Sequence, residues 1–467
     1  MNDSTLAHNL KTTIPGDGGL PIVGHTLHFL ADSQRLFEKK TRKYGPVYKT
    51  RLFGCNYIRL MGPDAMQLVF QNRDQTFLAK PAWIQVLDTL FQGGLLLMDD
   101  AEHKMHRRLM QVAFKSDAMI GYFNRMHEAI PHEIKALKSS HPISIYDLAK
   151  EATLHIACQV FLGNEVELQQ QNPHKAHKLR QQINESFKAT VAASISLVRW
   201  PVPGTRYNKG LKGRRFLERY FAAQVDQRRN INVNNGINEK NLDLFTRLCQ
   251  AEGQAEGQAE DESTHLTNEQ IVNHMIFLMM AAHDTTASTL TSMLHALTQY
   301  PQWQNILQKE FDSVNELTYD NISSLTKTNW FFKEALRMFP PLTALPRYAS
   351  KSFEFSGYTI PAKSFIGISP VHTHFDEKYW TDPYSFDPER FSPERREDQR
   401  HPFQWVPFGG GIHKCIGLHF AEQEIKLFLF HILKNYNVRA LNSAPVHFSK
   451  VPIWKPKKKL WLKFEAR

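Results

Sequence analysis

The chain has 467 residues, with 57 Lys and Arg against 46 Asp and Glu, a formal charge of +11, and 42% hydrophobic residues. This composition excludes a disordered or fibrous protein and allows a core large enough to enclose a cofactor. Four cysteines, Cys55, Cys158, Cys249 and Cys415, form no C-x-x-C pair, which argues against a zinc site or a disulfide framework and suits a reducing compartment.

The opening stretch MNDSTLAHNLKTTIPGDGG has neither a charged n-region nor an apolar h-region. The longest apolar run, 276–282, is far short of a membrane span. The protein is therefore expected to be soluble and cytoplasmic, without a membrane anchor, and of bacterial origin. The positive charge favours acidic partners. Nucleic acid is not expected, because no helix-turn-helix or RNA-binding signature is present.

In chain order, residues 1–13 are expected to be flexible and 14–24 (IPGDGGLPIVG) to run irregularly through Pro and Gly. Residues 45–61 alternate as two strands around a turn at Gly54. HKMHRR at 103–108 opens a helix running to Phe114. Residues 251–265 begin with the repeat AEGQAEGQAEDE and read as an exposed low-complexity loop. A long apolar helix over 266–297 opens on Thr267 with Gln270 three residues on, a capping box, and would span roughly 48 Å. β-like stretches follow at 353–360 and 364–369, then a glycine-rich run and an amphipathic helix over 418–433. The pattern predicts a mainly α fold with a smaller β-rich lobe, as one large domain over 1–467.

Four clusters carry chemistry. Phe408-Gly-Gly-Gly-Ile-His413-Lys-Cys415-Ile-Gly sets a lone cysteine just before a helix, where dipole and free N–H groups favour the thiolate. The alternative is a glycine-rich turn with a buried structural cysteine. Glu334 and Arg337 lie one turn apart and by themselves read as a surface pair. Ala281-Ala-His-Asp284-Thr285-Thr puts an acid and an alcohol inside the apolar helix, where an unpartnered Asp would be costly, unless the turn faces solvent. His103 and Arg107 sit four apart in a basic run that would ordinarily be a solvated face.

The glycine-rich run resembles, position for position, the haem-binding loop of the cytochrome P450 family: Phe, two residues, Gly, one residue, Arg or His, one residue, Cys, one residue, Gly. The resemblance extends over essentially the whole chain and implies the P450 fold, with the long central helix crossing the haem. It implies haem b with Cys415 as axial ligand, and His103, Arg107, Arg347, Phe408 and His413 as its surroundings. His413 stands where Arg is usual, so a weaker, pH-dependent propionate contact is expected. A Glu334–Arg337–Arg390 network would hold the haem loop. Asp284 and Thr285 match the acid and alcohol that relay protons to the reacting oxygen, although Ala282 replaces the usual Gly.

The implied reaction inserts one oxygen of O2 into a C–H bond of a hydrophobic small molecule (a retinoid, steroid, terpenoid or fatty acid), contacted by Ala281 and Ala344. GLPIVGHTLHFL and RKYGPVYKTRLFG, with HKMHRRLMQVAF, look most like the retinoid- and isoprenoid-hydroxylating branch. No flavin or nicotinamide domain is seen in 418–467, so electrons are expected from a separate ferredoxin- or flavodoxin-type donor with its reductase, received on the basic helix at 104–108. The alternatives are a peroxide-driven or isomerising haem enzyme, which would lack the acid–alcohol pair, and a non-catalytic haem sensor.

Overall fold

The computed structural model describes residues 11–139, 141–163, 172–194, 196, 199–230, 242–253, 264–442 and 444–467. Its internal contacts group the chain into two compact units. Both are built from discontinuous segments, so neither is a stretch of sequence that could be excised.

The first unit comprises residues up to 83, 336–414 and 448–454. Its centre is a five-stranded sheet in the order 47–52, 55–60, 364–368, 345–349 and 77–78. The first two strands form a hairpin registered Val47↔Leu60 to Leu52↔Cys55. Only Phe53 and Gly54 connect them, both at positive φ (50° and 78°), as a tight two-residue hairpin loop requires. The third strand runs parallel to the second and antiparallel to the fourth. One face packs Val47, Ile58, Leu60, Ile366 and Ile368 against Met66, Val69 and Phe70 of the Pro63–Gln71 helix. That contact positions the glycine-rich loop, as described below.

The second unit, residues 84–335, 415–447 and 455–467, is the helical part. Its spine is the Asn268–Gln299 helix, 32 residues long. Thr267 accepts from the Gln270 amide, and the Gln270 side chain accepts in return from the Thr267 amide. The predicted capping box therefore fixes the start, two residues later than the apolar periodicity alone places it. Helices Ile145–Leu162 and Arg206–Arg229 pack along the spine. A small sheet of 436–440, 461–466 and 143–144 closes one edge. The basic helix runs Asp100–Gln111, with 112–114 as a 3-10 turn, so it opens before His103 rather than at it: Asp100 and Glu102 in the first turn suit the helix dipole. Residues 254–263 and 1–10 of the expected loops lie outside the described residues. The flanks of the former, Glu252–Gly253 and Thr264–His265, pair as short antiparallel strands. Among the described residues, no helix is long and apolar enough to cross a membrane.

Candidate active site

The spine helix is buried almost throughout, yet it opens in the middle. Ala281 is exposed and Met280, Ala282, Asp284 and Thr285 are half-buried, whereas His283 is only 1% accessible. Helical spacing sets Ala281 and Thr285 on one face, and the Thr285 hydroxyl donates to the Ala281 carbonyl at 2.7 Å. Thr289 repeats the pattern onto Thr285 at 2.9 Å. Such back-bonding loosens the intrahelical ladder where the face is open.

Asp284 has a partner that sequence reasoning missed. Lys150, on the Ile145–Leu162 helix, places its ammonium 2.9 Å from Asp284 Oδ1. The same residue's carbonyl lies 2.9 Å from His283 Nε2, and Thr153 donates to the His283 carbonyl at 3.4 Å. Burial drives the His283 imidazole down to about 4, so it is neutral, although the Asp284 carboxylate partly opposes the shift. If its proton sits on Nε2 toward the carbonyl, Nδ1 turns a lone pair toward Asp284 at 3.3 Å. Asp284 Oδ1 thus lies between the Lys150 ammonium and the His283 ring. Burial, then the Asp284 charge, raises the Tyr146 phenol one turn before Lys150. The sequence carries no local signal for this pairing, since the helix that bears Lys150 also bears Asp147, Glu151 and His155.

Cys415 is exposed and in no disulfide, unusual for a residue type that normally buries. It lies just before the Leu418–Asn435 helix. Burial lowers the half-buried Arg107 guanidinium, and the Cys415 thiolate raises it again, so a cation stands by the sulfur. His103, one turn before Arg107, is buried. His106 faces His274 of the spine, Nδ1 to Nε2, at 2.7 Å.

In the first unit, Gly409 and Gly411 have φ of 69° and 61°, the left-handed region. A Cβ on Gly411 would overlap the Phe70 carbonyl oxygen, so the loop lies against the Pro63–Gln71 helix in a way only glycine permits. Phe408 packs edge-on to Trp405, and His413 is half-buried. Arg347 is buried on the Leu345–Ala349 strand and donates to the Pro346 carbonyl at 2.8 Å. Ala344 packs against the cluster of Phe29, Phe37 and Tyr48.

Arg337 and Arg390 meet on one backbone carbonyl and reach partners outside the expected trio. Fully buried Arg337 donates to the carbonyls of His374 (2.8 Å), Pro383 (2.7 Å) and Ser385 (3.2 Å). Arg390 meets it on the Ser385 carbonyl at 3.1 Å and pairs with Glu397 at 2.9 Å. Glu334, one turn before Arg337, is also fully buried, which excludes the surface-pair reading. Glu397 was not singled out in the sequence, nor was His374. That ring takes the Val406 amide on Nε2 (3.0 Å) and meets the Arg337 carbonyl with Nδ1 (3.1 Å), tying the arginines to the chain just before Phe408.

A model of the cytochrome P450 family matches residues 14–464. The chain is a cytochrome P450. It is 35% identical over 435 residues to a putative cytochrome P450 136 of Mycobacterium tuberculosis, covering 91% of this chain and 82% of that one. A taxane 10-beta-hydroxylase of Taxus cuspidata is 27% identical over 91% of this chain and 83% of its own length. Among solved structures, a retinoic acid-bound cyanobacterial P450, CYP120A1, superposes with a TM-score of 0.84 at 26% identity, covering 98% of this chain and 99% of that one. The P450 is thus a haem-dependent monooxygenase, an oxidoreductase that uses O2 and a redox partner on hydrophobic substrates.

The residues of this P450 fit the haem group. A soft thiolate donor is accessible with a guanidinium beside it, and an otherwise buried helix is open at Ala281–Thr285.

Buried histidines also make the P450 acid-sensitive. Burial drives His274 and His374 to about 3 and His283 to about 4, against 6.5 for the free side chain. The unfolded chain therefore takes up protons first, and stability falls as pH drops from 6.5 toward those values. The expected slope is roughly 1.4 kcal/mol per pH unit for each histidine. Urea midpoints measured from about pH 7.5 down to about pH 5 test this, and a flat profile would contradict it.

Proposed function

We propose that this P450 hydroxylates an isoprenoid-type hydrophobic molecule, with Cys415 ligating the iron of a haem b and Asp284 and Thr285 delivering protons. The observation that carries the reading is the open face at Ala281–Thr285 with an ionisable acid held at its edge by Lys150. When bound, the haem supplies oxygen activation, which a thiolate ligand favours. The chain's part is to position and protonate. Asp284 takes a proton on the side of Lys150 and His283, and Thr285, tethered to the Ala281 carbonyl, holds the hydroxyl in place on the open face. Non-covalent haem b is supported by the lack of a C-x-x-C-H attachment motif.

Ala281 is the best-supported substrate contact; the packing of Ala344 against a core cluster leaves it less to offer. An isoprenoid substrate is supported by the likeness to the retinoic acid-bound protein and by the taxane hydroxylase among the relatives. Exposed Lys104 and Arg108, four residues apart, suit an acidic ferredoxin- or flavodoxin-type donor. We place the enzyme in a bacterial cytoplasm, working as one haem-thiolate domain over the whole chain.

Titrating the ferric protein with retinoic acid, steroids and fatty acids tests the substrate class. A saturable Soret shift with retinoic acid is expected, and a spectrum that moves only with fatty acids would overturn the isoprenoid reading. Thr285→Ala separates the mechanisms. Electron consumption should continue while hydroxylated product falls roughly 10²-fold. Unchanged coupling would instead favour a peroxide-driven enzyme.

A further inference from the structure

Two histidines outside the site described above face each other where two helices of the second unit pack. Helix Ser116–Glu133 lies against the cysteine helix Leu418–Asn435, with Tyr122 edge-on to Phe420 and His127 beside Phe430. At that seam His431 Nε2 stands 3.2 Å from His127 Nδ1, with ring centroids 4.8 Å apart and planes at 40°. Both rings are half-buried, so solvent reaches the pair.

Packing fixes the rings. His127 stacks on the buried Phe123 one turn before it, with planes 11° apart, and Phe430 stands edge-on to His431. Pro131, four residues after His127, has no N–H to give the His127 carbonyl, and the His431 ring meets that carbonyl instead. The seam is therefore a built contact.

The chemistry of the pair is that of a ligand set. Burial drives the His431 imidazole down to about 4, and His127 adds to the shift. Burial lowers His127 as well, against the opposing charges of Glu316 and Glu128. Both rings are thus neutral at neutral pH, as metal ligands must be. Imidazole nitrogens suit zinc and copper, not magnesium or calcium. A tetrahedral ion with Zn–N bonds of about 2.0–2.1 Å holds two nitrogens about 3.3 Å apart, close to the separation found here. The charges acting on His127 are both negative, and the neighbouring Lys434 is turned onto the Val314 carbonyl at 3.1 Å. Among the described residues no three His, Cys, Asp or Glu side chains converge, so the remaining coordination positions fall to water.

We propose that His127 and His431 bind one transition-metal dication of the zinc class, which clamps the cysteine helix to its neighbour. The ring that carries the inward proton passes it to its outer nitrogen, so both lone pairs face the ion and no net proton is released. The clamp lies away from the chemistry, because His431 is in the last two turns of its helix, roughly 20 Å of rise beyond Leu418. It holds whatever the substrate proves to be.

Calorimetric titration of the chelator-treated, haem-loaded full chain with zinc tests it. A saturable first equivalent is expected, and its X-ray absorption should show two imidazole nitrogens at about 2.0–2.1 Å and no sulfur. Zinc should raise the thermal midpoint of the parent, since the seam exists only in the folded chain. His127→Gln and His431→Gln should each weaken the first equivalent by at least roughly tenfold, a loss that even a residue supporting a ligand can bring. His132→Gln, exposed on the same helix, should leave it unchanged. The parent's absorption spectrum decides the matter even where a variant fails to fold. No saturable equivalent in the parent, a sulfur ligand in the spectrum, or full binding by His127→Gln/His431→Gln would overturn the proposal.

Discussion

Cys415→Ser is expected to abolish monooxygenase turnover, by roughly 10³-fold or more, while leaving the fold intact. The reason is electronic. A serine oxygen is a harder, far less polarisable donor than a thiolate and cannot supply the electron density that favours oxygen activation. The fold should tolerate the change because Cys415 is exposed and in no disulfide, so few packing contacts are lost. Denaturation midpoints of the haem-free parent and variant should agree within about 0.5 kcal/mol, as for other surface substitutions. The reduced carbon monoxide complex should lose its thiolate-type Soret band. Retention of that band and of turnover by the serine variant would show that another residue binds the iron.

The second large effect is on stability. Glu397→Ala should cost roughly 3–5 kcal/mol, because it leaves the fully buried Arg390 guanidinium without its countercharge. Glu397 is itself 2% exposed and accepts from Arg390 at 2.9 Å, Arg395 at 2.5 Å and the Thr381 amide at 3.0 Å. Burial alone would raise its carboxyl, but the Thr381 amide, Arg395 and Arg390 together hold it below the ordinary value of 4.5. Its contribution is therefore complete above 4.5 and is lost as pH falls through the lowered value. Glu397→Gln should cost less than Glu397→Ala, since an amide oxygen still accepts. Urea denaturation of the three proteins at neutral pH decides the matter, and equal midpoints would mean that the Arg390 charge is compensated elsewhere. Arg337 shares the Ser385 carbonyl with Arg390 and bonds His374, which holds Val406 two residues before Phe408. Haem affinity should therefore fall in Glu397→Ala alongside stability.

Much of this was legible in one dimension because the deciding features are local. The hairpin at 47–60, the capped spine helix and the cysteine helix each follow from periodicity, a turn residue or a cap within a few positions. The fixed spacing from Phe408 to Gly417 identifies the family because a tight backbone and one thiolate must occur together in the chain. Gly411 shows how local necessity becomes visible, since its positive φ and close approach to Phe70 exclude any side chain.

The partners of charged groups were not legible. Lys150 lies 134 positions from Asp284, and nothing in either neighbourhood announces the pair. Glu397 and His374 stand in no motif, and only the fold brings them onto Arg390 and Val406. Electrostatic pairing acts through space and depends on which groups are desolvated together, so it leaves no period in the sequence. The exposure of Leu20, Ile22, Leu27 and Phe53 is of the same kind, because apolar residues in a sequence are expected to bury and only the packed molecule tells which do not. The sequence by itself determined the fold class and the family, and it singled out Cys415 and the Asp284–Thr285 pair as the candidates for the chemistry. Tertiary structure alone decided which cation holds the acid, which carboxylate holds Arg390 and which apolar side chains stay exposed.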